Sequence, residues 1–131
     1  MKKAIIHEFD PMIYPRTLWV CVGWDKKVIT DRFEPVYKNA EIMCDDSVGT
    51  VIPVIEKETG YMGCVVAFRS KKYATTQNIT HESVHASDYI CEQLGIVGQN
   101  FIDCNEAYAY LTGWIAGCID RAFKSRSNRL K

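Results

Sequence analysis

Short hydrophobic runs with the composition of β-strands fill the first two thirds of the chain. They are rich in β-branched and aromatic residues and are separated by polar or turn-forming residues. The predicted strands are Ala4 to Phe9, Thr17 to Trp24, Val28 to Phe33, Thr50 to Glu56 and Tyr61 to Phe68. The pattern over Pro35 to Cys44 is ambiguous. Between the last two strands, Lys57-Glu58-Thr59-Gly60 predicts a hairpin loop, because Gly60 can adopt the positive φ that the loop needs.

The hydrophobic period changes to that of a helix in the last third. From about Asn78 to Leu94, one stripe is polar and another is apolar, and Gly95 is a natural stop. The polar stripe contains His81, His85, Asp88 and Glu92, and the apolar one contains Ile79, Ala86, Ile90 and Leu94. A sheet followed by helices is an α+β arrangement, with an antiparallel or mixed sheet.

A second helix is predicted from Asn105, which can act as its N-cap, to about Lys124. Its stripe of Glu106, Tyr110, Gly113 and Gly117 includes two glycines, each of which costs about 1 kcal/mol against alanine inside a helix. This cost suggests that the glycines allow close approach of the first helix. The two helices are therefore expected to pack together.

Length and charge limit the classes of function. The chain has 131 residues, which suits one domain covering 1–131 without a second lobe. Sixteen Lys and Arg residues balance sixteen Asp and Glu residues, so the overall field indicates neither nucleic acid nor an anionic membrane as a partner. The basic residues near the C-terminus are typical of a helix end, and no run approaches the length of a membrane span.

The cysteines indicate a reducing compartment. Six cysteines would suit disulfides, but residues 1–8 contain no hydrophobic stretch of the kind found in secretory signals. Cys21, Cys64, Cys91 and Cys118 lie among apolar neighbours and are expected to be small buried hydrophobes. The expected location is the cytoplasm.

The first predicted helix carries the sequence His81-Glu82-Ser83-Val84-His85, an H-E-x-x-H motif. Helix positions four apart lie on the same face, so His81 and His85 can present two imidazole nitrogens to one metal ion. Glu82 is placed to act on a water at that metal, as in zinc-dependent hydrolases. The competing interpretation is an ordinary solvated helix face.

Asn105-Glu106 follows the motif, with twenty residues between His85 and Glu106. From about Met62 to Gly117 the arrangement resembles the gluzincins, the thermolysin-like zinc metallopeptidases. The combination is also similar to short zincin-like proteins of bacteriophages. The resemblance implies Zn²⁺ bound by His81, His85 and Glu106, with Glu82 as general base. The Ser-Asp pair that often follows the family's glutamate is replaced here by Ala109-Tyr110.

Other assignments of the metal-site residues stay open. Glu106 alone could simply be an acidic residue favoured in the first turn of a helix. Asp88 and Cys104 are rival third ligands, and Asp88 could instead orient an imidazole. His7 is expected to be a half-buried strand residue. An oxyanion donor could come from one of three tyrosines. These are Tyr73, Tyr108 and Tyr110.

The strand before the motif bears on substrate binding. In zincins generally the strand before the metal helix is an edge strand, and the resemblance implies that an extended peptide would pair with Met62 to Phe68. An internal hairpin strand fits the pattern equally well. The expected function is a zinc peptidase acting on peptides or exposed protein segments. The alternative is a non-catalytic, zinc-stabilised interaction module, and the sequence does not predict the oligomeric state.

Overall fold

A computed structural model of the protein describes residues 4–23, 25–37, 47–96 and 105–128, with side chains described as far as residue 124. Its strands are β1 (Ile5–Phe9), β2 (Thr17–Val22), β3 (Phe33–Pro35), β4 (Gly49–Glu56) and β5 (Met62–Phe68). Its helices are α1 (Lys26–Arg32), α2 (Thr76–Leu94) and α3 (Glu106–Asn128), and a single 3₁₀ turn spans Lys71–Tyr73. The predicted α+β order is confirmed, because the strands precede two long helices.

The five strands form one mixed sheet in the order β1-β2-β5-β4-β3. β2 and β5 are parallel, and the other neighbouring pairs are antiparallel. The parallel pair approaches closely at Gly63, where a Cβ atom would lie 1.8 Å from the carbonyl oxygen of Thr17. Only glycine therefore fits at this point of the sheet.

Both faces of the sheet are covered. On one face, alternate residues of β2 and β5 pack against α2 and α3 around Phe68, Ile90 and Ile115. On the other face, Trp19 packs against Phe33, with ring centroids 4.8 Å apart, and both are fully or almost fully buried with Ile29 of α1. The central strands thus carry apolar residues on both sides, which explains why they read as nearly continuous hydrophobic runs.

The prediction of a strand at Val28 to Phe33 is wrong for most of its length, because residues 26–32 form α1. The β-branched residues here favour a strand by propensity alone. The Asp25 side chain accepts a hydrogen bond from the Val28 backbone N–H at 3.2 Å and so caps a helix. Ile29 is the one buried residue of α1, so this short helix packs on the core through a single side chain.

The expectation that Met62 to Phe68 forms a sheet edge is also wrong. β5 is hydrogen-bonded to β2 on one side and to β4 on the other. Its backbone donors and acceptors are therefore used within the sheet, and a peptide cannot add to it as a further strand. The alternative interpretation, an internal hairpin strand, is confirmed, and the loop before it contains Gly60 with φ of 75° as predicted.

The long helices end and pack as their sequences indicate. The Thr75 side chain accepts from the Asn78 backbone N–H and caps α2, and Gly95 closes the helix in the left-handed conformation with φ of 71°. α3 begins directly after Asn105, whose carbonyl accepts from the Ala109 N–H at 2.8 Å. α2 and α3 pack together, as predicted. No described helix combines the length and apolar content needed to cross a bilayer.

Candidate metal centre

The H-E-x-x-H motif occupies the second and third turns of α2. Ile79, Ala86 and Ile90 lie on the buried side of this helix and dock it on the sheet. His81 and His85 lie on the opposite side and are exposed, whereas Glu82 lies at the boundary and is only 8% exposed. The amphipathic pattern therefore fixes which way the two imidazoles point.

The two imidazoles are close enough to share one metal ion. His81 Nε2 and His85 Nε2 are 3.2 Å apart, and the ring planes are inclined at 73°. Two nitrogens bound to one tetrahedral zinc at about 2.0–2.1 Å are separated by roughly 3.3–3.4 Å, so the observed spacing fits such a pair. His81, Glu82 and His85 each offer one ligand atom, and these three atoms all lie within 4.8 Å of one another.

Glu82 contributes a carboxylate that is partly withdrawn from water. It lies beside the start of β4, where a Cβ atom on Gly49 would be 3.5 Å from Glu82 Cγ. Burial raises the pKa of Glu82 above the ordinary glutamate value, and the neighbouring imidazoles oppose this rise. A carboxylate with these neighbours is a suitable proton acceptor for a water held at the two histidines.

The structure does not bring Glu106 into this group. Glu106 is the exposed first residue of α3, and it is not among the described residues whose ligand atoms cluster within 4.8 Å. Its role as third ligand therefore remains a prediction that the observed cluster does not support.

The predicted contact between helices through Gly113 and Gly117 is wrong. A Cβ atom on Gly113 would meet no atom within 4 Å, and one on Gly117 would meet only the Arg121 side chain, at 3.7 Å. The buried face of α3 lies on the other side of the helix. It consists of Leu111, Ile115, Cys118, Ile119, Ala122 and Phe123. The stripe that begins at Glu106 therefore faces away from the core.

Asp88, the rival ligand on the histidine stripe, is bound by α3. The Tyr108 hydroxyl donates a hydrogen bond of 2.7 Å to Asp88 Oδ1. Burial and this hydrogen bond raise the pKa of Tyr108 to about 12, so the hydroxyl stays protonated. One turn away on the same interface, the Ser87 and Thr112 hydroxyls are 2.7 Å apart. Asp88 thus serves the contact between the helices, and its carboxylate is not part of the His81, Glu82 and His85 group.

The remaining candidates are Cys104, His7 and the tyrosines Tyr73 and Tyr110. Cys104 falls outside the residues that the structure describes. Tyr73 packs against the core, and Tyr110 is 76% exposed on the outer face of α3. His7 is a half-buried residue of β1, as predicted.

The four described cysteines behave as hydrophobic residues. Cys21, Cys64 and Cys118 are buried and Cys91 is half-buried, and all four are free thiols. Burial raises the pKa of Cys21 and of Cys64 to about 12, which keeps both thiols protonated and poor as metal ligands. The prediction that these cysteines are small buried hydrophobes is confirmed for Cys21, Cys64 and Cys118, whereas Cys91 lies at the edge of the core.

Comparison of the chain with protein-family models, with curated proteins and with solved structures gives no match.

Proposed function

We propose that this protein is a zinc-dependent peptidase in which His81 and His85 hold the metal and Glu82 acts as general base. The observation that carries the proposal is the compact group formed by the two imidazoles and the carboxylate on one helix, with the Nε2 atoms 3.2 Å apart. Imidazole nitrogens suit zinc, and a carboxylate beside them is typical of catalytic zinc sites, whereas structural ones are built mainly from cysteine and histidine.

The chemistry assigned to the chain's own residues is proton transfer. A bound zinc ion supplies Lewis acidity, which lowers the pKa of water and polarises a carbonyl. Glu82 accepts the proton of the attacking water and later delivers it to the leaving amine. Glu82 is largely buried, so few water molecules hydrate its carboxylate, and its pKa is raised. Both effects make the carboxylate a better proton acceptor than a fully exposed glutamate.

The exposure of the histidine pair indicates the kind of substrate. His81 and His85 lie on the outer surface of α2, and both are exposed in the part of the chain that the structure describes. A peptide or an exposed segment of a protein can reach such a surface. A small molecule that needs an enclosing pocket is a poorer fit.

A second function is a non-catalytic, zinc-stabilised interaction module. The replacement of the family's Ser-Asp pair by Ala109-Tyr110 favours it, because that aspartate orients a histidine ligand in the active enzymes. In that case Glu82 would contribute to metal binding or to the contact with β4 and would not act as a base.

Glu82→Gln distinguishes the two functions. The amide keeps the shape of the side chain but cannot accept a proton, so the variant should retain zinc and lose at least about 100-fold in peptide hydrolysis. The measurement is cleavage of a peptide library by mass spectrometry, with zinc content determined on the same samples. Glu34→Gln, an exposed change on β3, is the matched control. Equal turnover by wild type and Glu82→Gln contradicts the general-base role, and zinc binding without turnover by wild type favours the interaction module.

A further inference from the structure

An aromatic and aliphatic surface lies at the start of α3, where Tyr110 is 76% exposed and Trp114 is half-buried with part of its side chain packed against the core. Tyr110 and Trp114 are one turn apart on this helix and form the wall between two open grooves. One groove, of about 450 Å³, is lined by Glu106, Tyr110, Gly113 and Trp114. We call it the α3 groove. The second, of about 400 Å³, lies between the same two aromatic residues and the loop after β1.

Gly113 opens the α3 groove. It lies on the helix between the positions of the two aromatic side chains, and a Cβ atom there would meet nothing within 4 Å. A glycine inside a helix costs about 1 kcal/mol against alanine, and no packing contact accounts for it here. The space that it leaves is part of the groove.

The loop after β1 is shaped to complete the second groove. Met12 has a φ of 65°, which is rare for a residue with a long side chain, and the turn is closed by a 2.7 Å hydrogen bond from the Ile13 N–H to the Pro11 carbonyl. This turn leaves Met12 86% and Ile13 80% exposed, and Ile13 lines the groove. A strained turn that displays apolar side chains to solvent is more typical of a binding loop than of a simple connection.

The acidic residues at the two grooves indicate the charge of the ligand that they bind. Of the described residues that line the two grooves, Glu106 is the one that carries a charge, and Asp10, next to Pro11 in the chain, is acidic as well. This acidic charge repels the headgroups of an anionic membrane. It attracts a cation, and the faces of Tyr110 and Trp114 favour a planar guanidinium that can stack on an aromatic ring.

We propose that the α3 groove binds a protein segment in which an arginine lies next to an aliphatic residue. The guanidinium occupies the α3 groove between Glu106 and the Tyr110 and Trp114 rings, and the aliphatic side chain fills the second groove against Ile13. This assigns Glu106 to recognition of a cation. The site is separate from the histidine pair and does not depend on zinc.

The test is a titration of isotope-labelled protein, kept metal-free with a chelator, with the acetylated and amidated peptide Leu-Arg-Leu. The indole N–H resonance of Trp114, assigned through Trp114→Phe, should shift on binding. The same peptide with citrulline in place of arginine has the same shape without the charge, and its affinity should be about tenfold lower. No shift at millimolar peptide, or equal affinity for the two peptides, overturns the proposal.

Three variants locate the site. Gly113→Leu fills the α3 groove without meeting another atom near the Cβ, so it should fold and lose the binding of both peptides. Glu106→Gln should reduce the preference for arginine over citrulline by about threefold, the effect of one exposed charge pair. Glu34→Gln, the exposed control on β3, should change neither the binding of the peptides nor the preference for arginine.

Binding of the peptides that survives Gly113→Leu contradicts the assigned groove. Tighter binding to phosphatidylserine vesicles than to the peptide, lost in Gly113→Leu, would identify a membrane surface instead and overturn the proposal.

Discussion

At the scale of the residue, the sequence predicts the histidine pair because the geometry is local. Two residues four apart on one helix face each other whatever the rest of the fold does, and His81 and His85 are adjacent in the structure as expected. Glu106 belongs to another helix, and its position depends on how α3 is rotated against α2. The apolar residues of α3 indicate that rotation, since Leu111, Ile115 and Cys118 recur at helical spacing on the side away from Glu106. The number of residues between His85 and Glu106 does not by itself reveal how α3 is rotated.

Alanine substitutions at two glycines test whether the backbone packs as closely as the structure shows. Gly63 lies against the neighbouring strand, and Gly113 faces open space. Gly63→Ala should destabilise the protein by about 3 kcal/mol or more, because the new methyl group meets the Thr17 carbonyl and must push β2 from β5. Gly113→Ala adds the same atom in open space and should stabilise the protein by about 1 kcal/mol through helix propensity. Chemical denaturation of the two variants and wild type measures both changes. A similar sign for the two substitutions would contradict the close approach at Gly63.

At the scale of the element, α1 is the segment whose observed structure differs from the one that its hydrophobic pattern predicts. Its β-branched residues predict a strand, but the Asp25 cap and the side-chain contacts at its end stabilise a helix. Arg32 Nε lies 2.6 Å from Glu56 Oε2, which ties α1 to the end of β4. Such a contact joins residues 24 positions apart and cannot be recognised from local sequence. The long helices, by contrast, have caps and stops that lie within a few residues of each end.

The Arg32 and Glu56 contact predicts a pH dependence. Burial tends to raise the pKa of Glu56, but hydrogen bonds from Thr59 and Arg32 outweigh it, so the pKa lies below the ordinary value. The folded state therefore favours the carboxylate, and its contribution is present above the ordinary glutamate pKa of about 4.3 and lost as the pH falls through the lower folded pKa.

Glu56→Gln should consequently cost about 1 to 3 kcal/mol at pH 7 and less at pH 3. Denaturation of wild type, Glu56→Gln and the exposed control Glu34→Gln at both pH values provides the comparison. The loss should be confined to Glu56→Gln. A cost for Glu56→Gln that is the same at pH 3 as at pH 7 would mean that the ion pair does not stabilise the attachment of α1.

At the scale of the whole molecule, the order of strands and helices predicts the α+β class but not the strand neighbours. The parallel pairing of β2 with β5 joins segments separated by about forty residues, and it places β5 inside the sheet. Hydrophobic alternation is the same for internal and edge strands when both faces are covered, so the sequence leaves this choice open. The consequence for function is that any peptide reaching His81 and His85 does so without pairing with β5.

The zinc content of the purified protein is the most direct test of the metal centre. After dialysis against a mild chelator and reconstitution with zinc, elemental analysis should find about one zinc per chain, because the motif offers two imidazoles and a carboxylate at one point. The double variant His81→Ala, His85→Ala should bind less than about a tenth of an equivalent, since no imidazole ligand would remain. A wild-type zinc content below about a tenth of an equivalent, or equal zinc in wild type and the double variant, would contradict a metal centre at this helix.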